Sequence, residues 1–129
     1  MDTPNLEIRT RECAPGIVLV EPFGEVDLGN TAAVEIAVRD AVGRGRHVIV
    51  ALGGLRYLDS TGLNSLRQCH AMAERLGQRL VVAEPTPVVR RVMDAIDFPR
   101  LVPVFSRTAL AIAELTSGSR GRSEEERGS

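Results

Sequence analysis

The stretch Leu58-Asp59-Ser60-Thr61-Gly62-Leu63 stands where an apolar run gives way to an amphipathic helix, and the fold follows from reading outward from it. Upstream, His47-Val48-Ile49-Val50-Ala51-Leu52 is a short apolar segment closed by Gly53-Gly54, as a strand covered on both faces would be. Downstream, Leu63, Leu66, Cys69, Ala73 and Leu76 recur every three or four residues, the spacing of one buried helical face, and Gly77 follows as a stop signal. Asp59 and Ser60 therefore fall at or beside a helix N-cap. Free backbone N–H groups and the positive end of the helix dipole make that place hospitable to an anion, including a phosphate built on the serine itself.

The same signals extend in both directions. Residues 6–13 and 17–20 flank the turn Ala14-Pro15-Gly16 and read as an antiparallel hairpin. Gly24-Glu25-Val26-Asp27 reads as a loop or short strand end, with Asp27 or Asn30 available to cap a helix over 31–43 on the stripe Val34, Ala37, Val38, Ala41 and Val42. Arg79-Leu80-Val81-Val82-Ala83 is another buried strand, and Pro85 and Pro87 bracket the start of a helix over Val88–Ile96. Leu101 to Phe105 is a weaker strand whose proline suits an edge, and Ser106 precedes a last helix running to about Leu115. The resulting order, ββαβαβα with a weak strand and a helix after it, predicts an α/β fold: one mixed, mostly parallel sheet with about four helices packed against it. The domain is expected over 1–116 and a disordered tail over 117–129, where Ser, Gly, Arg and Glu replace apolar periodicity.

Composition excludes several functions. The 129 residues are one domain's worth, and 43% hydrophobic content is ordinary for a globular chain. Sixteen basic against seventeen acidic residues give a net charge of -1, without the basic footprint of nucleic-acid binding, and a single tyrosine, three phenylalanines and no tryptophan make a base-stacking platform unexpected. Every basic residue is arginine, which removes lysine as a nucleophile. Cys13 and Cys69 belong to no paired motif and read as reduced thiols, so a cytoplasmic location is expected. The first residues are polar, without an apolar leader, and no run approaches the ~20 apolar residues of a membrane span.

Neither histidine is placed to serve Ser60 as a general base. His70 lies ten residues along the same helix, about 15 Å away at helical rise, and His47 begins the strand whose far end leads to the serine. No carboxylate or thiol is spaced to complete a two-histidine metal site, and Gly53-Gly54 lacks the rest of a phosphate-binding loop. Arg90-Arg91 reads as a solvated helix face. No enzyme, cofactor or metal is expected.

Taken in order, Gly24-Glu25-Val26-Asp27, the central strand, Leu58-Asp59-Ser60-Thr61-Gly62-Leu63, Gly77 and Pro85-x-Pro87-Val88-Val89-Arg90-Arg91 resemble the STAS domain of bacterial anti-sigma factor antagonists. The resemblance spans residues 6–115. It implies a phosphoprotein switch in which Ser60 is phosphorylated by an anti-sigma factor of the serine-kinase type. It implies a partner surface of Asp27, Asp59, Ser60, Thr61, Gly62 and Leu63 that sequesters the anti-sigma factor while Ser60 is unmodified, freeing a sigma factor for transcription. A phosphatase is a further possible partner; no direct contact with nucleic acid or membrane is implied. Where the family carries Val-Asp-Leu-Ser this chain has Val50-Ala51-Leu52-Gly53, which takes one negative group from the expected site. The alternatives are a STAS module of a stress-signalling scaffold or a lipid-transporter assembly, or a small ligand-binding α/β domain.

Overall fold

The computed structural model describes residues 5–117. Strands β1 (Leu6–Ala14) and β2 (Ile17–Val26) form the antiparallel hairpin and are followed by helix α1 (Thr31–Gly43), strand β3 (His47–Ala51) and strand β4 (Leu55–Leu58). Helix α2 (Ser60–Arg75), strand β5 (Leu80–Ala83), helix α3 (Pro87–Ala95), a single 3-10 turn at Phe98–Arg100, strand β6 (Val104–Phe105) and helix α4 (Thr108–Ser117) complete the order. The sheet runs β1-β2-β3-β5-β6, with β1 alone antiparallel, and β4 pairs with β2 off that path. The expected mixed sheet and four helices are present, and β6 lies at an edge, but of the expected strand Leu101–Phe105 only Val104–Phe105 pairs, Pro103 standing just before it.

β3 lies in the middle of the sheet, and its alternating side chains feed two cores. Val48, Val50 and Leu52 join the larger one with α1, α2 and α3, where Val38, Leu63, Ala73 and Met93 are fully buried. Ile49 and Ala51 face the opposite way, toward Phe105, Ala111 and Leu115 on the α4 side. Each buried aliphatic side chain contributes roughly 1.5–3 kcal/mol, so the two clusters are what hold the layers together.

The helices end as their sequences require. After α2, Gly77 takes a left-handed φ of +80°, its N–H bonds to the Glu74 carbonyl at 3.1 Å, and the Gln78 N–H bonds to Ala73 at 2.9 Å, a Schellman stop. Gly45 and Arg46 repeat that pattern after α1.

Three expectations are corrected. The sequence predicts no strand between Gly53-Gly54 and α2, yet β4 is one: Gly53-Gly54 ends β3, but the chain re-enters the sheet within a turn, because β2 is ten residues long and β3 occupies only its first half. Gly54 packs against the Phe23 ring, where a Cβ would sit 2.3 Å from Cδ1. Gly24 to Val26 form the strand end that the sequence allows there. Neither Asp27 nor Asn30 caps α1 with its side chain: Asp27 Oδ1 accepts from the Gly29 N–H at 2.8 Å, while the Asn30 amide accepts from the Asp27 N–H and donates to the Glu25 carbonyl, so both build the loop before the helix. Finally, α4 runs to Ser117, past Leu115, which puts the start of the expected tail inside the helix. Residues 118–129 lie outside the described residues.

Candidate functional site

The site is built where β2 and β4 finish side by side. Val26 is in register with Leu58, so the residues that follow, Asp27 and Asp59, leave adjacent strand ends. Asp59 is the N-cap of α2 in extended conformation, and its Oδ1 accepts from the Gly62 N–H at 3.0 Å. The anion place expected at the helix start is thus already filled by a carboxylate. Ser60 is the first helical residue and is exposed, as is Thr61.

Asp27 and Asp59 are half-buried, so four of the six expected partner-binding residues reach the surface. Gly62 and Leu63 do not. A Cβ on Gly62 would stand 2.3 Å from Leu58 Cδ1 and 3.2 Å from Val26 Cγ1, and Leu63 is wholly buried in the larger core. Their part in the fold is to seat the helix start on the strands beneath it.

Three features at this place were not read from the sequence. Tyr57, 47% exposed, lies with its hydroxyl 3.4 Å from Asp59 Oδ2, and its phenol is pushed above the ordinary value first by the Asp59 charge, with Asp27 and Glu25 adding. Arg56 pairs with Glu25 at 3.8 Å across the β2–β4 pair. A concavity of about 460 Å³ opens beside Ser60, with Thr61, Asn64 and Arg67 of α2 on one wall and Ile96, Phe98 and Leu101 on the other. Ile96 and Leu101 are 42% and 52% exposed, an apolar wall left open to water. The periodicity of α2 would have placed Asn64 and Arg67 on the Ser60 face; nothing in the sequence points to the opposite wall.

The histidines lie elsewhere, as expected. His70 Nδ1 donates to the Leu80 carbonyl at 2.9 Å, and His47 Nδ1 accepts from the Arg79 N–H at 3.0 Å. Neither reaches the serine. Ser65, one turn further along α2, is buried and donates a short hydrogen bond to Glu35 of α1, so it is no rival surface hydroxyl. Cys13 and Cys69 are free thiols, and burial, with the Glu35 charge adding, pushes Cys69 up to about 11. Among the described residues no group of three or more His, Cys, Asp or Glu is placed to hold a metal, and no helix is long and apolar enough to cross a membrane. The expected loss of a negative group at Ala51 takes a different meaning: its side chain lies on the α4 face of the sheet, not under α2.

Residues 9–111 match the STAS domain family. An anti-sigma F factor antagonist from Paenibacillus polymyxa is 26% identical over 113 residues, covering 86% of this chain and 96% of that protein. Among solved structures, an anti-sigma factor antagonist from Mycobacterium paratuberculosis superposes with a TM-score of 0.75 at 21% identity, over 88% of this chain and 97% of that one. The antagonist SpoIIAA in its unphosphorylated form gives 0.72 at 18% identity, over 86% and 97%. The phosphorylated form of the same Bacillus protein gives 0.65 at 18%, over 84% and 99%.

Proposed function

Because the chain belongs to the STAS domain family, we propose that it is an anti-sigma factor antagonist, a protein-binding switch rather than an enzyme, controlled by phosphorylation of Ser60. The observation that carries this reading is the exposed Ser60 hydroxyl at the first position of α2, at a strand-to-helix junction capped by Asp59, with Asp27 leaving the adjacent strand end. Support comes from the relatives: one is named an antagonist of an anti-sigma factor, and SpoIIAA, which shares the fold, has a phosphorylated form.

In the unmodified state the surface around Ser60, Thr61, Asp27 and Asp59 binds the anti-sigma factor, and the sigma factor is released to transcription. The partner is a serine kinase that brings the ATP. The bond from Ser60 Oγ to the γ-phosphorus forms as the bond to the departing ADP oxygen breaks, and the hydroxyl proton passes to a base of the partner. The product carries about -1.5 to -2 charge beside two carboxylates, which repels a partner surface shaped for a neutral hydroxyl and blocks close packing. Incubation with the cognate anti-sigma kinase and labelled ATP tests the assignment: label on Ser60 that vanishes in Ser60→Ala is expected, and label confined to Thr61 would overturn it.

A further inference from the structure

Ser60, Asn64 and Arg67 share one face of α2, since steps of four and seven residues return to within about 40° and 20° of the same direction. All three line the concavity that the α3–β6 connection closes on its other side. Helical side chains lean toward the helix N-terminus, so Arg67 reaches back along this face toward Ser60. Its guanidinium Nη2 has already come one turn in that direction, donating to Asn64 Oδ1 at 2.5 Å, and among the described residues Arg67 forms no ion pair.

We propose that Arg67 is the positioning residue for the phosphate on Ser60: parked on Asn64 while the serine is free, it takes the phosphate across the mouth of the concavity once the serine is modified. The inference rests on the reading of Ser60 as the phosphorylated residue. The cap geometry forces the choice of side. The Gly62 N–H is committed to Asp59, and both Asp59 and Asp27 stand on the strand-end side of the serine, so a phosphate there meets two like charges. Among the described residues that line the concavity the cation is Arg67, whose planar fork matches phosphate oxygens two at a time. Phosphorylation therefore changes the surface in two ways at once: it adds charge at the helix start and draws an arginine over the exposed apolar wall that a partner would use.

The test installs phosphoserine at position 60 during translation, so that no kinase is needed, and follows the phosphate by ³¹P NMR across a pH titration. A neighbouring cation favours the dianion, so the Arg67→Gln protein is expected to titrate at least about half a pH unit higher than the unsubstituted phosphoprotein. Arg67→Lys, which keeps the charge on a flexible stem, is expected to retain most of the difference. Identical midpoints in all three proteins would overturn the proposal. Failure of the anti-sigma kinase to label Ser60 would instead overturn the proposed function, and the titration would still decide the role of Arg67.

Discussion

At the end of the sheet where β3 and β5 begin, polar side chains are tied into the fold; at the end where β2 and β4 finish, they face solvent. His47 accepts the Arg79 N–H, His70 donates to Leu80, and the Arg79 guanidinium lies 3.7 Å from the carboxylate of Glu114, which is fully buried. Opposite, Asp27, Asp59 and Ser60 spend few of their bonds on the fold: Asp59 uses one oxygen as a cap and turns the other to an exposed tyrosine. A polar group satisfied by the backbone stabilises and is unavailable, whereas one held in place but unsatisfied is free for a partner. The same sheet thus carries a scaffold at one end and, at the other, the surface we propose for recognition.

That contrast can be broken by substitution. Arg79→Ala leaves the buried Glu114 carboxylate without this cation and should cost about 3 kcal/mol, read from the urea midpoint. A cost near zero would mean that the scaffold end is no more committed than the site end. Gly62→Ala, which drives a methyl into Leu58, should cost about 2 kcal/mol and shows how far the buried part of the site belongs to the scaffold. Asp59→Ala removes one cap bond and should cost about 1 kcal/mol by the same measurement.

The smallest effect is on pH dependence. Burial, with the Arg79 charge second, holds His47 below its ordinary value, so on acidification the unfolded chain takes up a proton that the folded chain resists. Stability is fully present above about pH 6.5 and declines as pH falls from there through the lowered folded value. His47→Gln should flatten this part of the pH profile in thermal melts; an unaltered slope would assign it to other groups.

Much of this architecture is legible in the sequence because local signals agree with the fold: apolar runs of four or five residues for the buried strands, threefold and fourfold spacing for α2, glycines at the helix ends. β4 is not legible. Leu55-Arg56-Tyr57-Leu58 follows a double glycine, exposes its middle pair, and becomes a strand because the far half of β2, paired with β1 on one edge, is left open by β3 on the other. The site divides in the same way. Asp59 and Ser60 follow from the strand-to-helix junction, but Tyr57 joins through β4, and the wall of Ile96 and Leu101 is brought to Ser60 by the packing of α3 and the turn after it. Burial also separates neighbours that the sequence treats alike: Ser60 and Thr61 stay outside while Gly62 and Leu63 go in.

On the proposed reading Ser60 governs recognition without serving the fold. Isothermal titration of the cognate anti-sigma factor with the unmodified chain and with the chain carrying phosphoserine at 60 tests it most directly, provided thermal melts of the two are compared alongside. An affinity at least tenfold lower is expected for the phosphorylated chain, about 1.4 kcal/mol, with melting temperatures that nearly coincide. Equal affinities, or a weakened interaction explained by loss of the folded state, would contradict it.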